Sequence, residues 1–180
     1  MIYVYLAEGF EETEAITPID LLRRAGKNVV TVGVGDNIVK GSHGIPVITD
    51  TIVQEAPLSD ELEMIVLPGG MPGTLNLEKN EYVRRAIEYC HENNRVIGAI
   101  CAAPSILGHM NILQGRKAVC YTGFEKELYG AEIADGTVSV DGNIVTSRGA
   151  GTAMDFALAL VEKAVSKEES QRQASAVIYR

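Results

Sequence analysis

Apolar residues in this chain fall into short continuous runs separated by helical stripes. Residues 2–6, Ile-Tyr-Val-Tyr-Leu, are apolar on both faces, as a strand inside a parallel sheet would be. A helix is predicted over 11–25, with Ile16, Ile19, Leu21 and Leu22 on one broad face and Gly26 as its stop. The second strand spans 27–34 and closes on the turn-forming Gly35-Asp36-Asn37. A hairpin-like excursion follows through 38–39 and 46–48, then 52–53. Another buried strand covers 63–67 and ends at Pro68-Gly69-Gly70-Met71-Pro72-Gly73. An amphipathic helix over 82–93 leads into a buried strand at 96–100, and Ser105 onward reads as helix again. Later strands are expected at 118–121, 138–140 and 144–146, with Asp141-Gly142 turning between the last two. The final helix covers 152–165, where Thr152 and Asp155 have capping-box spacing.

Strand and helix alternating in this way predict an α/β fold with a mostly parallel sheet covered on both faces. A length of 180 residues suffices for one domain, 1–180, with its own core. Open parallel sheets bind ligands beyond the carboxyl ends of their strands. That rule brings three groups to one edge: Glu11, Glu12 and Glu14 after the first strand, Gly69-Gly70 after another, and Cys101 after a third.

Cys101 sits where the 96–100 strand meets its helix, with the small residues Ala99 and Ala103 two positions to either side. A nucleophile elbow needs small side chains there, and the positive end of the following helix favours thiolate over thiol. A free cysteine can also serve only as a small buried apolar residue. The three glutamates can complement the dipole of the first helix, or one can turn inward. A carboxyl beside Cys101 would be protonated or would raise the thiol, so the two would share a proton. Gly69-Gly70 fits a plain turn or a pair of backbone donors for a developing oxyanion. The loop 147–152 is not a dinucleotide fingerprint, but it can wall a pocket or bind an anion through Arg148.

The histidines are His43, His91 and His109. None lies far enough downstream of Cys101 for a Cys-His-Glu triad, and Ala102 stands where a local Cys-His pair would place its imidazole. Conventional thiol protease or amidase chemistry therefore lacks its base. His91 lies beside Cys90 in a polar helix end without ligand spacing, and no metal site is expected. A net charge of −8 argues against nucleic-acid or anionic-membrane partners. No apolar run reaches the length of a membrane span and no basic leader precedes the first strand. Three cysteines without a C-x-x-C fit a reducing cytoplasm better than a disulfide framework.

Five segments together resemble the ThiJ/PfpI superfamily on its DJ-one branch. They are Leu6-Ala7-Glu8-Gly9-Phe10-Glu11-Glu12-Thr13-Glu14, Arg23-Arg24-Ala25-Gly26, Val66-Leu67-Pro68-Gly69-Gly70, Ala99-Ile100-Cys101-Ala102 and Thr146-Ser147-Arg148-Gly149-Ala150-Gly151-Thr152. The resemblance implies a flavodoxin-like three-layer α/β/α sandwich, usually a homodimer. It implies Cys101 as the reactive thiol, Glu14 as its protonated partner, and Gly69, Gly70 and Ala102 as backbone donors. Arg24, His43, Tyr121 and Arg148 are candidates for the pocket wall. Two positions depart from the branch: Tyr121 stands where a histidine is usual, and His43 where an arginine is expected. Ala102 separates the chain from the protease-like branch. The implied activity is that of a glutathione-independent glyoxalase or deglycase acting on small α-oxoaldehydes or glycated adducts, without metal or organic cofactor. The other implied role is an oxidative-stress sensor or redox-regulated chaperone working through oxidation of Cys101.

Overall fold

The protein is described here over residues 1–179 of a computed structural model. In chain order the elements are β1 (Ile2–Ala7), α1 (Glu12–Arg24), β2 (Val29–Val34), β3 (Ile38–Lys40), β4 (Pro46–Ile48) and β5 (Thr51–Ile52). Then come β6 (Met64–Leu67), α2 (Gly73–Lys79), α3 (Glu81–Glu92), β7 (Val96–Ile100), α4 (Pro104–His109) and β8 (Lys117–Ala118). The chain closes with β9 (Glu132–Ile133), β10 (Val138–Asp141), β11 (Ile144–Ser147), α5 (Ala153–Ala164) and α6 (Lys167–Ala176).

Seven strands form the central sheet in the order β10-β11-β7-β6-β1-β2-β5, and every pairing but β10–β11 is parallel. All six residues of β1 and all four of β6 are buried, which explains their unbroken apolar character. Each strand sends alternate side chains to opposite faces. Tyr3, Tyr5, Ile65 and Ile97 meet Leu77, Ile87, Ile106 and Leu107 of α2, α3 and α4. Ile2, Val4, Leu6 and Val66 meet Ala15, Ile19 and Leu22 of α1 and Phe156 and Leu160 of α5. The result is the three-layer, flavodoxin-like α/β/α sandwich. Among the described residues, no helix is long and apolar enough to cross a membrane.

After β1 and β2 the chain returns to the other side of β1 to lay down β6 and then β7. The loops leaving β1, β6 and β7 therefore meet at the carboxyl edge where the strand order reverses.

Several expectations need correction. The strand foreseen at 118–121 is only β8, which pairs with β9 outside the main sheet. Beyond it the backbone serves the elbow instead, with Tyr121 N–H donating to the carbonyl of Cys101 at 2.8 Å. Helix α2 was not foreseen, and residues 167–176 of the polar tail form α6, anchored by Ser170 Oγ donating to Leu158 O at 2.9 Å. Ile16 lies outside the buried stripe of α1 and is 44% exposed. Thr152 does not cap α5 through its side chain. Its hydroxyl accepts from Gly149 N–H at 3.1 Å and bonds Ser147 Oγ at 2.7 Å, bracing the loop itself.

Candidate active site

The last residue of β7 is Ile100, and Cys101 follows in a left-handed conformation, φ 65°. A non-glycine residue held there stores about 1–3 kcal/mol of backbone strain. The surroundings hold it: Cys101 N–H donates to Ser147 O at 3.0 Å, and its carbonyl is taken by Tyr121 N–H. Ala99 and Ala103 are fully buried, as the elbow requires. Cys101 itself is half-buried, whereas Cys90 and Cys120 are buried.

Glu14 lies in the first turn of α1, 1% exposed, and its side chain is hydrogen-bonded to that of Cys101. The opposing loop fixes the carboxyl, since Gly69 N–H donates to Glu14 Oε2 at 2.9 Å. A side chain at Gly69 has no room: its Cβ would come within 2.5 Å of Cys101 Cβ and 2.6 Å of Glu14 Oε2. Gly70, at φ 90°, turns its N–H to the sulfur, and Ala102 N–H joins it from the other side. Gly69 thus differs from the role expected of it. Its donor holds the glutamate, while Gly70 and Ala102 face the sulfur.

Burial pushes the Glu14 carboxyl up to about 7, against the pull of its bonds to Cys101 and Gly69. Burial, joined by the charge and hydrogen bond of Glu14, pushes the Cys101 thiol up to about 12. The Gly70 and Ala102 donors work the other way but do not prevail. The thiol thus lies above its ordinary value, not below it as the helix dipole alone would place it, because burial and then the neighbouring Glu14 outweigh the donors. Two adjacent sites that resist being charged together hold one proton between them over a broad range.

The remaining predicted residues divide. Tyr121 and Glu14 both border Gly149, where an added Cβ would lie 3.4 Å from Tyr121 Cδ2 and 3.8 Å from Glu14 Oε1. Arg148 is exposed and donates to Thr122 Oγ1 at 3.1 Å. His43 belongs to a separate cluster on the first turn of α1. Its Nδ1 is 3.0 Å from Glu12 Oε2 and 3.4 Å from Glu11 Oε2, and Ser42 Oγ bridges both carboxylates. Burial works against ionising Glu12, yet bonds from His43 and Ile45 hold it down to about 2. Glu12 and Glu11 in turn raise His43 above the ordinary histidine value. Glu11, Glu12 and His43 are also the described residues whose ligand-type atoms gather within 4.8 Å; here they satisfy one another.

Arg24 is a correction. It ends α1 ten residues beyond Glu14, about 15 Å along the axis, and bonds Asp20 Oδ2 at 2.7 Å. Within the chain it is no part of the pocket wall.

A parallel α/β sandwich with a thiol on a strained strand–helix elbow and a buried carboxyl against it defines the class. The chain belongs to the DJ-1/PfpI family, whose pattern matches residues 1–163. Drosophila melanogaster protein dj-1beta is 35% identical over 178 residues, 97% of this chain and 95% of that one. The crystal structure of Drosophila melanogaster DJ-1beta superposes with a TM-score of 0.93 over 99% of this chain and 97% of the other, at 34% identity. Arabidopsis thaliana protein DJ-1 homolog B is 34% identical over 99% of this chain, which spans only 41% of that protein. The Caenorhabditis elegans glutathione-independent glyoxalase DJR-1.2 is 30% identical over 164 residues, 91% of this chain and 87% of that one.

Proposed function

We propose that the protein converts small α-oxoaldehydes to hydroxy acids without glutathione, using Cys101 as nucleophile and Glu14 as proton carrier. The observation that carries this reading is the hydrogen-bonded Cys101–Glu14 pair, which holds one proton where two anions would repel. When the shared proton passes from the sulfur to Glu14, the sulfur anion adds to the aldehyde carbon, and the former carbonyl oxygen becomes an alkoxide. The Gly70 and Ala102 N–H groups, which bond the sulfur, would stabilise that oxygen as charge passes to it. The alkoxide takes the Glu14 proton and leaves a hemithioacetal. Glu14, now a carboxylate, removes the hydrogen from the same carbon and returns it to the neighbouring carbonyl carbon through an enediol. The product is a thioester of the hydroxy acid, which water hydrolyses to free the thiol. Methylglyoxal plus water thus gives lactate, with no external oxidant or reductant. Kinship with a named glutathione-independent glyoxalase supports the substrate class.

Methylglyoxal consumption without glutathione, with lactate formation, tests the reading. Wild type is expected to turn over while Cys101→Ala falls to the buffer rate; equal rates would overturn it.

A second reading is favoured by the contrast among the thiols. Cys101 is the accessible one, and Glu14, Gly70 and Ala102 surround it with groups that can bond an oxidised sulfur. Peroxide titration followed by intact mass supports sensing if two oxygens add at Cys101 before Cys90 or Cys120. Three unbridged cysteines also support a reducing, cytoplasmic setting. A homodimer is proposed from Ile16 on α1 and from Ile45 and Ile48 on the adjoining hairpin, 44%, 56% and 75% exposed.

A further inference from the structure

Behind the elbow, the last residue of α4 makes an arrangement that the chemistry above does not use. His109 Nδ1 lies 2.5 Å from Glu78 Oε1, and its Nε2 lies 2.9 Å from Glu127 Oε2. A neutral imidazole has one donor and one acceptor nitrogen, so with a carboxylate at each end both bonds are made only when the ring carries both protons. His109 and Glu78 are partly sheltered, 28% and 22% exposed, while Glu127 is more open at 44%, and the Tyr129 ring packs 5.0 Å from the imidazole.

The partners matter because of where their segments begin. Glu78 is on α2, which follows the Gly69-Gly70 loop; Glu127 ends the turn 125–127, which follows Tyr121; His109 is on the helix that follows Cys101 and Ala102. Gly108 lets these segments touch directly, since a Cβ there would come 2.7 Å from Leu128 Cα and 2.8 Å from Tyr129 N. One cation therefore ties together the far ends of three segments whose near ends build the sulfur site.

We propose that His109 is a positioning residue for Cys101: as an imidazolium it pins α4 to α2 and to the 125–127 turn, and loss of its proton loosens the loops carrying Gly70, Ala102 and Tyr121. This rests on Cys101 being the reactive thiol, not on the identity of its substrate. From α2 the ring faces Glu78, and from the 125–129 segment Glu127 and Tyr129. From α3, Arg84, Glu88, His91 and Glu92 border the cavity of about 300 Å³ that it lines. Burial works against the charge on His109, but the bonds and charges of Glu127 and Glu78 outweigh it and raise the group above the ordinary 6.5. The sign follows. The clamp is fully made below 6.5 and is lost as pH rises through the raised value.

The test pairs an NMR titration of the His109 ring with the rate of Cys101 alkylation by iodoacetamide, read by intact mass from pH 6 to 9. His109 is expected to titrate above 6.5, and Glu127→Gln is expected to lower that midpoint. Below the midpoint, His109→Gln should alkylate about threefold more slowly than wild type, the size of a weakened rather than lost backbone hydrogen bond. Above it the two rates should converge. His109→Arg, permanently charged, should keep the faster rate throughout. If His109→Gln does not fold, Glu127→Gln carries the test: its rate should drop below that of His109→Arg at a lower pH than the wild-type rate does. Coincident profiles for wild type and the foldable variants, or a His109 midpoint at 6.5, would overturn the proposal. Neither readout uses an aldehyde, so the proposal and the glyoxalase reading fail separately.

Discussion

At the scale of single residues, the site is a balance between two groups that each prefer to be neutral. Glu14 is held near 7 by burial, well above the ordinary carboxylate value of 4.5. Such a group works against folding as pH rises past 4.5, because the unfolded chain ionises first while the folded one still holds its proton. That cost grows until the folded carboxyl titrates near 7 and is constant above it. Glu14→Gln keeps an acceptor for Gly69 N–H and a donor for the sulfur without any charge. The variant is therefore expected to melt at a higher temperature than wild type at pH 8, with the gap closing towards pH 4. Scanning calorimetry at both pH values checks this, and a gap independent of pH would count against it. The same substitution removes the proton carrier, so kcat should fall by about 10²-fold or more.

Much of this residue-level arrangement was legible beforehand. Ala99 and Ala103 around Cys101, with a glycine pair on a neighbouring strand end, identify an elbow and its donors. Four things were not legible. Helical spacing cannot say which of Glu11, Glu12 and Glu14 turns inward, because that depends on where the Gly69 loop lies. The rise of the thiol depends on its burial and on the proximity of Glu14, a contact made across 87 residues of sequence. Arg24 belongs to a family-like segment, yet it sits at the wrong end of α1. His109 gave no sequence signal at all, since Glu78 and Glu127 reach it from two other segments.

Among the elements, β1, β6 and β7 were readable because strands buried on both faces are uniformly apolar. α2 was not, being seven residues long and starting at a glycine that reads as loop. α5 illustrates how packing supports the edge. Gly98 in β7 leaves space for it, as a Cβ there would be 2.9 Å from Leu160 Cδ2 and 3.1 Å from Phe156 Cζ. Phe156 is fully buried, so Phe156→Ala should cost about 3–5 kcal/mol in urea unfolding. A change below about 1 kcal/mol would mean that α5 is held mainly by other contacts.

For the molecule as a whole, Ile16 on α1 and Ile45 and Ile48 on the hairpin are exposed, and the bonds of Glu12 to the His43 and Ile45 backbone tie that hairpin to α1. A second copy is the expected cover. Light scattering should give twice the 19.4 kDa chain mass for wild type and the single mass for Ile48→Asp. A monomeric wild type would set the dimer aside.

The account stands on one proton shared by Cys101 and Glu14, and the pH profile of Cys101 alkylation in wild type and Glu14→Gln reads that proton directly. The wild-type rate is expected to rise through a midpoint near 7, as the pair loses its first proton, and then to show no further rise because the second leaves only near 12. Glu14→Gln should lose the step near 7 and follow a single thiol titration. Identical single-step curves for both proteins would mean that the two groups titrate independently, and would contradict the mechanism.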